Sequence, residues 1–285
     1  MIRIAIQAKG RLNEDSTKLL EEAGIRIPES RRQLLAEAEN FPLEVLYLRD
    51  DDIPQAVAGG VADIGIVGLN EVEEKGMETE ILHRTGLGRC RLSLAVPKGC
   101  GYTGTGWFNG KRIATSYPSI LKKFLDRNGI DAETATIAGS VEIAPSVGMA
   151  DAIFDIVSSG STLVSNGLVE VEQVMQSEAV VIGNPSMPLE KRAIWEQMRF
   201  RFEAVERSRG MKYMLMNLPS DKVEEAARIL PGMKSPTVLP LAQKGWCSVH
   251  MAVRETEMWE KIEQLKGIGA EDILVLDLEK IIQRF

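Results

Sequence analysis

Histidine is nearly missing from this chain: His83 and His250 are the only two among 285 residues. Cysteine is scarce as well, and Cys90, Cys100 and Cys247 form no CxxC pair. Neither histidine sits at zinc-ligand spacing from these thiols, so no zinc site is expected. Three scattered thiols suit a reduced cytosolic protein better than a disulfide framework. No Ser/His or Cys/His pair offers itself for nucleophilic catalysis. Long apolar runs are lacking too. The run after Met1 is too short for a signal peptide and no stretch approaches a membrane span, which points to the cytoplasm and away from membranes. Positive charge is outweighed, with 34 Lys and Arg against 41 Asp and Glu, a net charge of -7 and a pI near 5.2. That excludes a general nucleic-acid binder. A phosphorylated substrate would have to be met by local basic groups and backbone amides.

What is present is ordinary globular composition, 44% hydrophobic and 26% charged. At this length two or three domains are expected, without a disulfide staple. Ile2 to Gln7 alternates as a short strand, and Lys9, Gly10 and Arg11 follow it. A helix runs on to about Ala23, where Gly24 is a natural stop. Leu43 to Leu48 is a strand. Asp50 to Asp52 precede Ile53-Pro54, with acid and proline both suited to a helix start. Val61 to Gly68 is the next strand. This β-α-β-α-β order predicts a parallel α/β sheet.

A second unit starts near Arg91, with strands at Leu92 to Val96, Arg112 to Thr115, Thr134 to Ala138 and Ala152 to Val157. Cys100 to Gly106 is a glycine-rich loop. Ser116 is positioned to cap a helix with Ile120, Leu121, Phe124 and Leu125 on its apolar face. A third unit begins near Met211. It reads β-α-β-β-α-β, the ferredoxin-like pattern, with Asp221 and Glu224 as a capping box for its first helix. A charged helical segment, about 188 to 209, connects it to the rest.

The most informative run is Asp155 to Leu163. A buried strand ends in Ser158, Ser159, Gly160, Ser161 and Thr162, and a helix start there would offer free amides as an anion cradle. Hydroxyl donors add to it, and Gly160 lets a phosphate approach the backbone. Asp155 could reach ribose hydroxyls or a metal. By pattern alone such a turn also reads as a simple helix cap.

This run, with Gly139 to Pro145 and Asn166 to Leu168, resembles the signature region of the ATP phosphoribosyltransferase family. Gln7 to Leu12, Arg49 to Pro54, Ala62 to Gly68, Cys90 to Leu94 and Gly110 to Pro118 are similar to that family in the same order. Ser235 to Leu241 resembles the regulatory domain of its long form. The resemblance thus extends over essentially the whole chain.

The resemblance implies a two-lobed type II periplasmic-binding-protein-like catalytic core and a C-terminal ferredoxin-like (ACT-like) regulatory domain. Lobe I would comprise 1–90 plus about 178–207, lobe II 91–177, and the regulatory histidine-binding domain 208–285. It implies that N1 of the ATP adenine attacks C1 of phosphoribosyl pyrophosphate, with Mg²⁺ helping pyrophosphate leave. Histidine would inhibit, and the chain would form homo-oligomers, dimers and hexamers. Catalysis of this kind needs alignment and charge stabilisation more than a nucleophile.

By the same resemblance, Asp155, Ser158, Ser159, Gly160, Ser161 and Thr162 hold the ribose 5-phosphate. Lys9 and Arg11 face pyrophosphate or the ATP phosphates and, with Asp155, carry the catalytic role. Arg11, Arg49, Gly68, Asn70 and Tyr117 surround ATP, with Arg112 a weaker candidate. Asn217, Ser235, Thr237 and Asp272 form the histidine site. The commoner phosphoribosyltransferase fold has two adjacent acids before its phosphate loop. Here the strand offers only Asp155, with Asp151 four residues back, which leaves the metal ligands undefined and favours substrate oxygens. The alternative reading is a cytosolic small-molecule sensor on the same two-lobed scaffold.

Overall fold

The computed structural model describes residues 1–28 and 34–283. They divide into two compact units, 1–198 and 199–285.

The first unit carries two sheets. Its elements are β1 (Ile2–Gln7), α1 (Arg11–Glu22), β2 (Leu35–Glu37), β3 (Leu43–Leu48), α2 (Ile53–Ala58), β4 (Ile64–Gly68), α3 (Leu69–Lys75) and β5 (Glu80–Arg84), then β6 (Cys90–Pro97), β7 (Arg112–Thr115), α4 (Pro118–Asn128), β8 (Glu133–Thr136), β9 (Ala152–Val157), α5 (Ser161–Ser165), β10 (Leu168–Ser177) and β11 (Ala179–Gly183). The first sheet runs β2-β3-β1-β4-β11-β5 and the second β10-β6-β9-β7-β8. β1 pairs in parallel with β3 and β4, and β7 with β8 and β9. Parallel strands are covered on both faces, so β1 buries Ile2, Ile4, Ala5 and Ile6 almost without alternation. The chain crosses between the sheets twice, at 85–89 and at Glu178. The antiparallel strands β6, β10 and β11 flank those crossings.

The second sheet separates its side chains cleanly. Leu92, Leu94 and Phe154 face α4, together with Phe108, Ile113, Ile120 and Leu121. Ala95, Ala114, Ile153 and Val157 face the other way, toward Val141 and Leu163. That period of two puts Asp155, between Ile153 and Val157, on the α5 face at the end of its strand.

α6 (Leu189–Ser208) leads into the second unit, which holds β12 (Met211–Pro219), α7 (Val223–Ile229), β13 (Thr237–Pro240), β14 (Trp246–Arg254), α8 (Glu255–Gly267) and β15 (Glu271–Asp277). The strands form one antiparallel sheet in the order β13-β14-β12-β15. Met214, Met216 and Leu218 on β12 and Cys247, Val249, Met251 and Val253 on β14 pack with Ala226, Met258 and Leu265 of the helices. This is the ferredoxin-like module expected beside a two-lobed α/β core. No helix among the described residues is long and apolar enough to cross a membrane.

Three local expectations are corrected. The helix expected to be capped by Ser116 has Tyr117 at its N-cap instead, because Pro118 opens α4. Ser116 comes one residue too early, and its hydroxyl donates to the Ile137 carbonyl at 2.7 Å. The capping box of Asp221 and Glu224 does not form; Lys222 precedes α7 and no side chain caps it. The strand expected from Val61 starts only at Ile64, because the Val61 and Ala62 amides still bond back to the Ala56 carbonyl.

Candidate active site

β9 ends at Val157, and the following loop leaves Ser158, Ser159, Ser161 and Thr162 exposed. Gly160 has φ +80°, and a β-carbon there would meet nothing nearer than Val157 Cγ1 at 3.9 Å. Conformation rather than space therefore calls for glycine. The Ser159 and Ser161 hydroxyls lie 2.9 Å apart. α5 is a single turn of five residues. Its macrodipole is correspondingly weak, so any anion held here depends on local hydroxyls and amides. Arg91 braces the loop, donating Nη1 to the Ser158 carbonyl at 3.1 Å while its guanidinium pairs with Glu170.

Asp155 stands just before this loop, and its Oδ1 accepts the Ile156 amide at 2.8 Å. Burial pushes its carboxyl up to about 6; the Ile156 amide opposes this and the charge of Glu142 adds to it.

The opposite sheet contributes Lys9 and Gly10 between β1 and α1, and Arg11 as the first residue of α1. Both cations are exposed, and among the described residues neither has an ion-pair partner. Arg49 is exposed and pairs loosely with Asp51 at 3.4 Å. Gly68 ends β4 and is the N-cap of α3, and a β-carbon there would stand 2.4 Å from Asn70 Oδ1. Only glycine admits the Asn70 side chain in that position.

Asn70 and Tyr117 meet in a buried polar cluster. Asn70 Nδ2 donates to Tyr117 Oη at 3.2 Å and to Glu71 Oε1 at 3.1 Å. The Ser177 hydroxyl donates to Asn70 Oδ1 at 2.8 Å and accepts the Asn70 amide at 3.1 Å. Glu71 also accepts from the Tyr117 hydroxyl, which lowers its carboxyl pKa less than burial raises it. Burial, with the charges of Glu71 and Asp155, drives the Tyr117 phenol far above its usual range, so it stays protonated. One helical turn on, the Glu74 carboxylate accepts the Ser119 and Ile120 amides at 2.9 and 3.0 Å. It satisfies α4's orphan donors from another helix. Arg112 lies at the far end of β7 from Tyr117 and pairs with Glu133 at 2.9 Å.

Sequence reasoning missed Glu71, Glu74 and Ser177. Each is an unremarked polar residue in its own segment, and only the meeting of α3, α4 and β10 gives it a partner.

In the second unit, Asn217 Nδ2 donates to Asp272 Oδ2 at 3.1 Å, and Asp272 takes φ +47°. Thr237 lies on the edge strand β13 beside His250, two strands from Asn217, and Ser235 precedes it in an exposed loop. The structure thus brings Asn217 and Asp272 together and shows no bond from either to Ser235 or Thr237. Both His250 ring nitrogens are engaged, by Tyr213 at 3.2 Å and Ser248 at 3.1 Å.

Residues 49–204 match the family described as ATP phosphoribosyltransferase, and 208–280 match the HisG C-terminal domain. A curated ATP phosphoribosyltransferase of Bacteroides thetaiotaomicron is 60% identical, covering 99% of this chain and 100% of that protein. One from Cytophaga hutchinsonii is 51% identical, covering 99% of each. Among solved structures, an ATP phosphoribosyl transferase (HisG:HisZ) complex from Thermotoga maritima aligns with a TM-score of 0.62 at 29% identity, over 71% of this chain and 99% of that one.

Proposed function

The chain belongs to the ATP phosphoribosyltransferase family, and from that premise we propose how its residues divide the work and how it is regulated. The enzyme condenses ATP with phosphoribosyl pyrophosphate, a pentosyl transfer in histidine biosynthesis. Adenine N1 attacks C1 of the sugar as the C1–oxygen bond to pyrophosphate breaks. The transition state gathers positive charge on the sugar and negative charge on the leaving group, so fixed charges and alignment supply the catalysis.

The observation that carries the assignment is the loop after β9. It presents exposed hydroxyls and a left-handed Gly160 at a strand end, directly after the half-buried Asp155. Ser158 to Thr162 hold the 5-phosphate. Asp155 lies beside the sugar. Lys9 and Arg11, exposed and unpaired among the described residues, meet phosphate charge. Arg49, Gly68, Asn70 and Tyr117 line the nucleotide side, with Asn70 and Tyr117 acting through the buried cluster they form.

Mg²⁺ is the metal this chemistry calls for. No group of three or more His, Cys, Asp or Glu side chains among the described residues could hold a metal ion. Asp155 and Glu142, whose like charges repel each other, are the carboxylates that would hold such an ion, with substrate oxygens supplying the other contacts. When bound, the ion would neutralise charge on departing pyrophosphate.

Histidine is the proposed inhibitor, read by residues 208–285. Asp272 would receive its ammonium, while Asn217, Ser235 and Thr237 offer polar contacts. Assembly into dimers and hexamers and residence in the cytoplasm complete the reading.

The test is direct. Purified protein with ATP, phosphoribosyl pyrophosphate and Mg²⁺ should release pyrophosphate, and histidine should slow it. No turnover would sink the assignment and favour a ligand sensor. Thr162→Ala should raise the KM for phosphoribosyl pyrophosphate. Thr237→Ala should raise the inhibitory histidine concentration with the uninhibited rate near normal; unaltered inhibition would remove Thr237 from the regulatory site.

A further inference from the structure

A second basic feature adjoins the phosphate loop. Where the chain crosses between the two sheets of the first unit, a cavity of about 540 Å³ is lined by Arg84, Arg89, Arg91, Gln173, Gln176 and Glu178, together with Cys90, Ser177 and the loop residue Ser158. Arg84 is held by Glu178 at 3.0 Å, and Arg91 by Glu170 and the Ser158 carbonyl. Arg89, Gln173 and Gln176 are exposed, and within the described residues their side chains have no hydrogen-bond or ion-pair partner. One unpaired guanidinium and two unpaired amides thus border one space, beside two further guanidiniums already fixed in place. In a chain of net charge -7, such a concentration of donors is a local reversal of sign.

Resting on the reading above, we infer that this cavity is a diphosphate subsite contiguous with the phosphate loop. Two polyanionic substrates must be present together at the transfer. Like charges inside one site repel strongly, so each polyphosphate needs its own cationic partner. The turn at Lys9 and Arg11 supplies one set. The arginine cavity supplies the other, and Ser158 is common to its wall and to the loop that takes the sugar's 5-phosphate. Guanidinium forks suit this task, since they bind phosphate oxygens in pairs. The diphosphate could belong to the donor sugar, and so become the released pyrophosphate, or it could be the terminal pair of phosphates on ATP. The cavity recognises the shared chemistry.

Arg89→Ala is the informative variant, because the side chain is exposed and unpaired and its loss leaves no buried charge. Binding of inorganic pyrophosphate with Mg²⁺ to the full chain is read by calorimetry, alongside steady-state kinetics. Arg89→Ala should weaken pyrophosphate binding at least about tenfold, and Arg89→Lys should do so less. If the KM for phosphoribosyl pyrophosphate rises with that for ATP unchanged, the diphosphate is the donor's; the reverse places ATP's phosphates there. Arg127→Ala removes the same charge from the exposed last turn of α4 and should leave binding intact. Unchanged pyrophosphate binding in Arg89→Ala, or an equal loss in Arg127→Ala, overturns the subsite. Either result is compatible with full turnover, whereas absent turnover in the unsubstituted chain strikes the functional reading itself.

Discussion

The Tyr117 hydroxyl and the Asn70 amide are joined at 3.2 Å, and that bond ties α4 on one sheet to α3 on another. Both residues are buried, and both also engage the Glu71 carboxylate. Tyr117→Phe should therefore strand donors and acceptors on Asn70 and Glu71. A loss of about 1–2 kcal/mol is expected, read from urea unfolding midpoints at constant m. A midpoint equal to that of the unsubstituted chain would show that water takes over the bond.

Glu74 performs for α4 the service usually given by its own N-cap. Replacing it with alanine should cost about 1 kcal/mol. Amide exchange at Ser119 and Ile120 should accelerate while exchange at the end of α4 stays put. Uniform protection along the helix in Glu74→Ala would contradict the capping role.

Asp155 carries a pH signature. Its folded pKa of about 6 lies above the ordinary 3.8, so the folded state binds its proton more tightly than the unfolded chain does. Its favourable contribution is complete below pH 3.8, declines as pH rises, and is gone above about pH 6. Asp155→Asn cannot ionise. Its stability should match that of the unsubstituted protein near pH 4, exceed it increasingly up to about pH 6, and stay roughly 1–3 kcal/mol higher above that. A gap independent of pH would mean the carboxylate is well solvated.

Gly160 occupies a backbone region hostile to β-branched side chains. Gly160→Val should distort the loop by way of about 1–2 kcal/mol of local strain. The KM for phosphoribosyl pyrophosphate should rise about tenfold or more, with a smaller change for ATP. Equal changes in both would point to a general loss of structure.

Much of the architecture was legible in the chain. Leu43–Leu48, Arg112–Thr115 and Ala152–Val157 occupy the very spans their β-branched and apolar runs indicate. The alternation of Cys247, Val249 and Met251 appears as one buried face of β14. Periodicity encodes such elements because burial of one face is a local property of spacing. β11 was missed although its Ala179–Gly183 run is apolar and wholly buried, whereas β10 gave no comparable signal. Glu170, Glu172, Gln173 and Gln176 interrupt β10, and the shifts in its register with β6 break the period on which such reading relies.

The sequence by itself determined the family, the strand-loop-helix order around Asp155 to Thr162, and the glycines its turns require, because each is written in contiguous residues. Only the tertiary structure decided that Glu74 would cap a helix some 45 positions away, that Glu71 and Ser177 would enclose Asn70, and that three arginines would border one space. Those outcomes depend on which strand ends are adjacent, and adjacency is fixed by the packing of whole sheets rather than by any segment's own pattern.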